Sequence, residues 1–488
     1  MGMKNSIVLL TAAICTAISV CGQERRPLTF DQALEMTVTR NPELKAAAYE
    51  EETARKERKA AYGLRLPQAS VTGAYVYMGD DMNIDLNAAK APVEGIIGGL
   101  PEGMLPPAVL QQAAVLMSRD WAMKLQDRSL GNVSANVTLP LYTGGKINAA
   151  NNAAKIKIDE AVQNGNRTRN ALISELTERY YGLALALQVV EVRRQVLEGM
   201  RHHLSDAKAL EANGIIARSE RLYAEVHAAE AEREYLKAQK TAETLASALA
   251  GTLGSDEPYM PATTMFILQE IEDVDHFKTL AAQHNPLLRQ VELKRQLAGE
   301  NLRLQRADFA PQVALTGMAS LYSYQVSPIV PKWAVGAGVS FKIFDGLHRE
   351  YKFSAAKSQI RQVEAVREQA AQDIRTLIDK LYNELATYSQ QMPSVDASRT
   401  FAEEYLRIKE EAFKEGVAPS SDVVDARMNL AKIKTERLQA AYYYDLMLAR
   451  LLEACGQSEA FPDYGKRSPA DPFRINNPFK KHITQKTI

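Results

Sequence analysis

The residues of this 488-residue chain that could do chemistry are few: seven histidines, three cysteines and scattered carboxylates. The adjacent pair His202-His203 has the ligand type that metals favour. It stands on a helical stretch beside Arg201 and Asp206 with no second ligand cluster, and so reads as solvated helix surface. Cys15 and Cys21 fall in the leader, which leaves Cys455 alone in the body, too few thiols for a disulfide framework or a thiolate metal site. Asp80, Asp81, Asp85 and Glu94 share one Gly- and Pro-rich segment, but no histidine joins them for acid-base work. Asp422 and Asp425 are three apart at the start of a helix, so they share a face and complement its dipole. No phosphate-cradling glycine loop and no nucleophile with a base stands out. The chain therefore reads as a non-enzyme with no cofactor and no metal site. Lys plus Arg and Asp plus Glu are 59 each, so there is no basic footprint for nucleic acid.

The elements around these residues follow two periods. In LGNVSANVTLPLY, Val133, Ala135, Val137, Leu139 and Leu141 alternate with Asn132, Ser134, Asn136, Thr138 and Pro140, which predicts a strand with two unlike faces. After the turn Thr143-Gly144-Gly145, apolar Leu172, Leu176, Tyr180, Leu183, Leu187, Val190 and Leu197 recur at helical spacing, and no strong breaker precedes Gly214. At ~1.5 Å per residue that helix is roughly 100 Å long. A return helix is predicted from Ser219 to about Ala250. Upstream, Thr29 with Gln32 makes a capping box, Asn41-Pro42 closes one helix and opens the next, and a first strand covers Gln68 to Met78. Gly79 to Ser129 reads as a long loop with a short helix at Ala108 to Met117.

The same signals then appear again. Tyr142-Thr143-Gly144, Gly214, Ser219, Glu220 and Gly254 are echoed 202 positions on by Phe344-Asp345-Gly346, Gly416, Ser421, Asp422 and Gly456. Asn41-Pro42, Pro67-Gln68 and Gly73 are echoed 244 positions on by Asn285-Pro286, Pro311-Gln312 and Gly317. Two constant offsets mean a tandem duplication, with 42 extra residues between the strands of the first half. The organisation expected is a signal peptide over 1–22, a first repeat over 23–254 that holds the inter-strand loop 79–129, and a second repeat over 255–460. Strands at Gln312 to Tyr324 and Trp333 to Phe344 belong to that second repeat. A polar tail, 461–488, follows as a loosely held extension without a core. In the leader, Lys4 precedes the apolar run Ile7 to Val20, and its exit leaves open cleavage before Gln23 or lipidation of Cys21.

No apolar run reaches membrane-helix length, so a membrane role falls to the strands. Four strands cannot close a membrane barrel, whose bacterial minimum is about eight. Three chains would supply twelve strands and leave no sheet edge open. The fold class expected is mainly α with a β-barrel portion: a duplicated strand-helix repeat with long coiled-coil hairpins and four strands per chain given to a trimeric transmembrane barrel. The alternative is a secreted coiled-coil structural or adhesin-like envelope protein without a pore.

From Leu28 to Gly456 the chain resembles the TolC family of outer-membrane efflux and secretion channels. The resemblance rests on the leader, LTFDQALEMTVTRNPEL, the strand-turn-helix segments LPLYTGG and FKIFDG, and the helix turns ANGIIARSE and KEGVAPSSDVVDA. It implies a homotrimer in outer-membrane lipid whose barrel continues as a periplasmic tunnel of twelve helices. Such a duct passively conducts what an inner-membrane pump passes through a periplasmic adaptor. The resemblance places adaptor docking at the hairpin tips: Gly214, Ile215 and Ser219 in the first half, Gly416, Val417 and Ser421 in the second. The glycines there are expected at positive φ and the two serines as N-caps. Asp422 and Asp425 match an aspartate pair that rings the periplasmic constriction, which makes a narrow mouth cation-selective. Where family members carry a tyrosine and an arginine that latch the closed state, this chain has Phe413 and Ala418.

Overall fold

The computed structural model describes residues 26–467. The signal peptide, the leader cysteines and residues 468–488 of the polar tail lie outside the described residues. The chain opens with β1 (Arg26–Leu28), α1 (Phe30–Arg40), α2 (Pro42–Gly63) and β2 (Gln68–Tyr77). An insertion follows, made of β3 (Met82–Asp85), α3 (Lys90–Gly98), α4 (Pro107–Ser118) and β4 (Ala122–Gln126). Next come β5 (Ser129–Tyr142), the 67-residue α5 (Lys146–Ala212) and the 35-residue α6 (Arg218–Thr252). After β6 (Tyr259–Pro261) the order repeats with α7 (Val274–His284), α8 (Pro286–Ala307), β7 (Gln312–Tyr324) and β8 (Trp333–Ser340). It ends with α9 (His348–Lys414) and α10 (Ser420–Ala454), again 67 and 35 residues, and the short α11 (Phe461–Lys466).

Local chemistry accounts for the boundaries. Thr29 caps α1 through the reciprocal capping box with Gln32. Asn41 Oδ1 accepts the Glu43 N–H at 2.7 Å and opens α2. The long helices carry ion pairs at helical spacing, such as Arg194 between Glu191 and Glu198 and Arg407 between Glu404 and Glu411. Gly214 and Gly416 end them at φ 71° and 72°, each followed by a bond from the next N–H back to the last turn, Ile215 to Leu210 and Val417 to Ala412.

The described residues divide into two compact units, one built from 26–54, 157–295 and 362–467, the other from 55–156 and 296–361. Each unit takes segments from both halves of the duplication, because α5 and α9 each begin in the second unit and continue into the first. The first unit is helical. Its centre is an aromatic cluster in which Phe30 meets Tyr180, Tyr181 and Phe461 at ring distances of 5.3, 5.5 and 5.2 Å. The Tyr180 hydroxyl donates to Leu28 O at 2.6 Å and accepts the N–H groups of Ala262 and Thr263, tying the parallel pair β1–β6 to α5.

The second unit holds an antiparallel sheet in the order β2-β5-β7-β8. Ala135 is the partner of Val71 on one side and of Ala319 on the other, and Ala319 in turn faces Trp333. Bulges interrupt the β5–β7 ladder between Val133 and Ser134 and between Pro140 and Tyr142.

Four expectations are corrected. The fourth strand stops at Ser340 rather than Phe344, because Ser340 already faces Gln312, the first residue of β7, and nothing is left to pair with Phe341 to Phe344. The helix expected at Ala108 to Met117 is present as α4, but the rest of segment 79–129 is not loop alone: β3 and β4 pair antiparallel and a further helix, α3, lies between them. The start of the tail is folded, with Phe461 and Tyr464 of α11 buried against the aromatic cluster and Ser458 bonded twice to Asn170. Ser219 and Ser421 are not N-caps. The caps are Ala217 and Pro419, neither with a side-chain bond, so both serines lie inside the first turn.

Candidate functional site

Two places gather residues with functional consequences, and the sheet is the first. Antiparallel partners point to the same face, so the register sorts side chains into two sets. One face carries Val71, Tyr75, Val133, Val137, Leu139, Leu315, Tyr322, Trp333, Val335 and Val339. The other carries Gln68, Ser70, Thr72, Asn132, Ser134, Asn136, Thr138, Thr316 and Ser320, with glycines, alanines and Met318 between them, Pro140 at one end and Val76 and Leu130 at the other. Polar neighbours on this face bond one another: Asn136 Nδ2 donates to Thr72 Oγ1 at 2.6 Å and Ser320 Oγ to Asn132 Oδ1 at 2.8 Å. Within the chain the apolar face is uncovered, with Trp333 70% and Val339 71% exposed. β2 and β8 are open edges. A sheet apolar on one face, polar on the other and free at both edges suits lipid outside and water inside once its edges are paired. No helix among the described residues is long and apolar enough to cross a membrane.

The second place is the pair of helix turns. Ile215 lies against Gly416, where an added Cβ would come within 3.0 Å of its Cγ2, and Val417 is 81% exposed. Beneath the turns the two hairpins are linked by polar groups. Glu220 Oε2 accepts the Ser420 N–H at 2.7 Å, so a side chain of α6 satisfies an orphan donor at the start of α10. His203 Nε2 and Ser420 Oγ share a hydrogen bond at 2.6 Å in the interior. Phe413 is buried against the same imidazole, ring centroids 4.4 Å apart. Burial, with the nearby charge of Arg427, holds the His203 pKa down at about 4. Arg427 pairs with Glu410 and its guanidinium fills the space over Gly199, where any side chain would collide.

The two candidate gate aspartates differ. Asp422 accepts a bond from Lys409 Nζ at 2.7 Å, and that bond raises the lysine pKa. Asp425, one turn further along α10, is exposed. No group of three or more histidine, cysteine or acidic side chains able to hold a metal occurs among the described residues.

The sequence pattern of the outer membrane efflux protein family matches residues 33–255 and 279–457, one stretch for each half of the duplication. The chain belongs to the outer membrane efflux protein family. Among solved structures the fold is similar to a membrane protein from Pseudomonas aeruginosa, with a TM-score of 0.70 at 17% identity over 88% of this chain and 91% of that one. The outer membrane protein VceC of Vibrio cholerae superposes with a TM-score of 0.66 at 17% identity, over 88% and 96% of the two chains. The MtrE outer membrane channel of Neisseria gonorrhoeae, in its open state, gives 0.65 at 18% identity over 88% and 89%. In sequence, Protein CyaE of Bordetella pertussis is 26% identical over 297 residues, 59% of this chain. The match spans 62% of the length of CyaE.

In this efflux-family chain the structure brings Gly214, Ile215, Gly416 and Val417 together at one pair of turns. The three residues grouped as a gate differ in environment: Asp425 is exposed, Asp422 is paired with Lys409, and Phe413 is buried. Sequence reasoning placed both histidines at the surface. That holds for His202, which faces Asp206 at 3.1 Å, but His203 is buried. Two adjacent helix positions are 100° apart, so one of a pair on a half-buried helix points inward. Glu220 and Ser420 stand in the quoted turn segments and Arg427 and Glu410 in none, but no local pattern pairs any of them, because their partners lie on other helices.

Proposed function

We propose that three copies of this efflux-family chain form a passive exit duct through the outer membrane, served by an inner-membrane pump through a periplasmic adaptor. The observation that carries the proposal is the uncovered two-faced sheet. A strand of ten residues, such as β2, spans roughly 33 Å, or ~23 Å along the membrane normal when tilted by about 45°. That matches an apolar band of about 25 Å. Three four-stranded sheets pair their free β2 and β8 edges into a twelve-stranded ring with polar residues inside. A coiled-coil spacer has no use for such a sheet.

Within this reading Ile215 and Val417 are the adaptor-docking residues, flanked by Gly214, Ser219, Gly416 and Ser421. Asp425, with Asp422 partly neutralised by Lys409, supplies the charge of the periplasmic constriction. Phe413 supports that mouth from behind through His203. The test is native mass measurement of the protein extracted from outer membranes, followed by reconstitution into planar bilayers. A threefold mass with conducting steps is expected; a monodisperse monomer with intact strands, or trimers that never conduct, refutes the duct.

A further inference from the structure

The insertion between β2 and β5 is unlike its counterpart in the second half, where only residues 325–332 join β7 to β8. From Lys90 to Ser118 it carries three charged residues, Lys90, Glu94 and Glu102. Neither α3 nor α4 buries a single residue within the chain. Ile96, Met104, Val115 and Leu116 are all more than half exposed. Exposed large apolar side chains at this density on an ordered, charge-poor element mark a candidate interaction site.

The insertion is held in place at its base. Leu86 N–H donates to Trp121 O at 3.0 Å, Trp121 N–H donates to Asn87 Oδ1 at 3.0 Å, and the Trp121 indole donates to Leu116 O at 3.0 Å. At the foot of β4, Gln126 Nε2 donates to Gln325 O, and Gln126 Oε1 accepts the Ser327 N–H at 2.7 Å. Ser129 Oγ and Gln325 Oε1 share a further bond at 2.5 Å. These links fix the segment against the β7–β8 connection, itself apolar at its crown, with Ile329 72% exposed and Val330 beside it.

Sheet topology says what lies next to this surface. β2 is an edge strand, and its last residue, Tyr77, is at the same end of the sheet as Ser129, Tyr324 and Trp333. When β8 of a neighbouring copy closes on β2, it runs antiparallel. Its Trp333 end, with the 325–332 connection, then falls beside the insertion that leaves β2. We propose that α3 and α4 of each copy dock on the β7–β8 connection and the insertion of the adjacent copy, forming an apolar collar that joins the three chains at the loop end of the sheet. The occupant is a second copy of this chain, because edge pairing delivers it to that position at fixed stoichiometry. The three charges from Lys90 to Ser118 and the single Lys332 of the 325–332 connection leave these two stretches mostly uncharged, which fits an apolar contact. This inference rests on the trimeric duct.

The test uses the full chain in outer membranes with Val115→Cys and Ile329→Cys combined, treated with a short bismaleimide. The native mass is read on the same preparation. A ladder of cross-linked dimers and trimers is expected, absent from either single variant and lost when the protein is denatured before treatment. A threefold mass without the ladder overturns the collar and leaves the duct standing. Quenching of a fluorophore on Val115→Cys by nitroxide lipids identifies lipid as the occupant and also overturns it. Labelling of Val115→Cys on intact cells as fast as in the denatured chain shows a free surface and does the same. A mass other than threefold overturns the duct, and the collar with it.

Discussion

Acidification should loosen the contact between the two hairpins beneath their turns, and His203 should be the cause. In the fold the imidazole is 4% exposed, hydrogen-bonded to Ser420 and packed at a tilt against Phe413, with a pKa of about 4. Unfolded, it titrates near 6.5. A group whose folded pKa is depressed in this way takes up its proton more readily when released. The stability it lends is therefore complete above about 6.5 and is lost as pH falls toward 4. At 1.36 kcal/mol per pH unit the ceiling is ~3 kcal/mol, and relaxation of the surroundings around a charged ring brings the expectation to ~1–3 kcal/mol. In exchange rates that is roughly 5- to 150-fold. The assay is amide hydrogen exchange of residues 420–427 at pH 7 and pH 4.5, corrected for intrinsic rates. His203→Gln keeps a polar group near Ser420 without the titration. Asp206, Glu220 and Glu410 remain in the variant, so the difference between the two proteins isolates the imidazole. Protection in the native protein should fall at pH 4.5 while the variant changes by less than about threefold. Equal pH responses would falsify the assignment.

Three further outcomes are expected. Tyr180→Phe preserves the ring contacts but removes three hydrogen bonds, to Leu28, Ala262 and Thr263, and should cost about 3 kcal/mol in denaturant titrations; a loss under 1 kcal/mol contradicts the role of this hydroxyl. Gly456→Ala and Gly214→Ala both meet a positive φ, 70° and 71°, worth about 1–2 kcal/mol, but only the Cβ at 456 comes within 2.3 Å of the His284 carbonyl. The first should therefore be the more damaging in stability measurements, and equal costs refute the contact argument. At the channel mouth Asp425→Ala should reduce cation preference in bilayer recordings more than Asp422→Ala, whose carboxylate is already paired with Lys409; the reverse order removes Asp425 from the constriction.

What the sequence made legible was whatever has a period or a local partner. The strand alternation around Val137, the two constant offsets, the Thr29 cap and the left-handed glycines at 214 and 416 need only neighbours along the chain. What it hid were contacts whose partners are far apart in sequence. Ser420 meets both Glu220 and His203 across some two hundred residues, and nothing in the local pattern joins the three. Phe461 and Tyr464 sit in a stretch rich in Gly, Pro and charge, and their burial depends on an aromatic pocket assembled from Phe30, Tyr181 and Phe266. In the insertion the helix at Ala108 to Met117 is legible, but α3 and the short strands β3 and β4 are not, because their pairing partners lie some forty residues apart.

The order of strands has a consequence for assembly. By the repeat offsets β7 is the counterpart of β2, and β8 of β5. The junction β5–β7 inside one chain is therefore the same kind of seam as the one that β8 would make with β2 of the next chain. A ring of six single repeats would need six such encounters between separate molecules. Covalent linkage of repeats in pairs turns every second encounter into an intramolecular folding step, already complete in each chain. With three bodies to collide in place of six, the penalty in translational and rotational freedom, ~4–15 kcal/mol per association, applies three fewer times. At equilibrium the population of closed rings then scales with the third rather than the sixth power of free chain concentration, so a ring of paired repeats survives dilution that would take apart a ring of single ones.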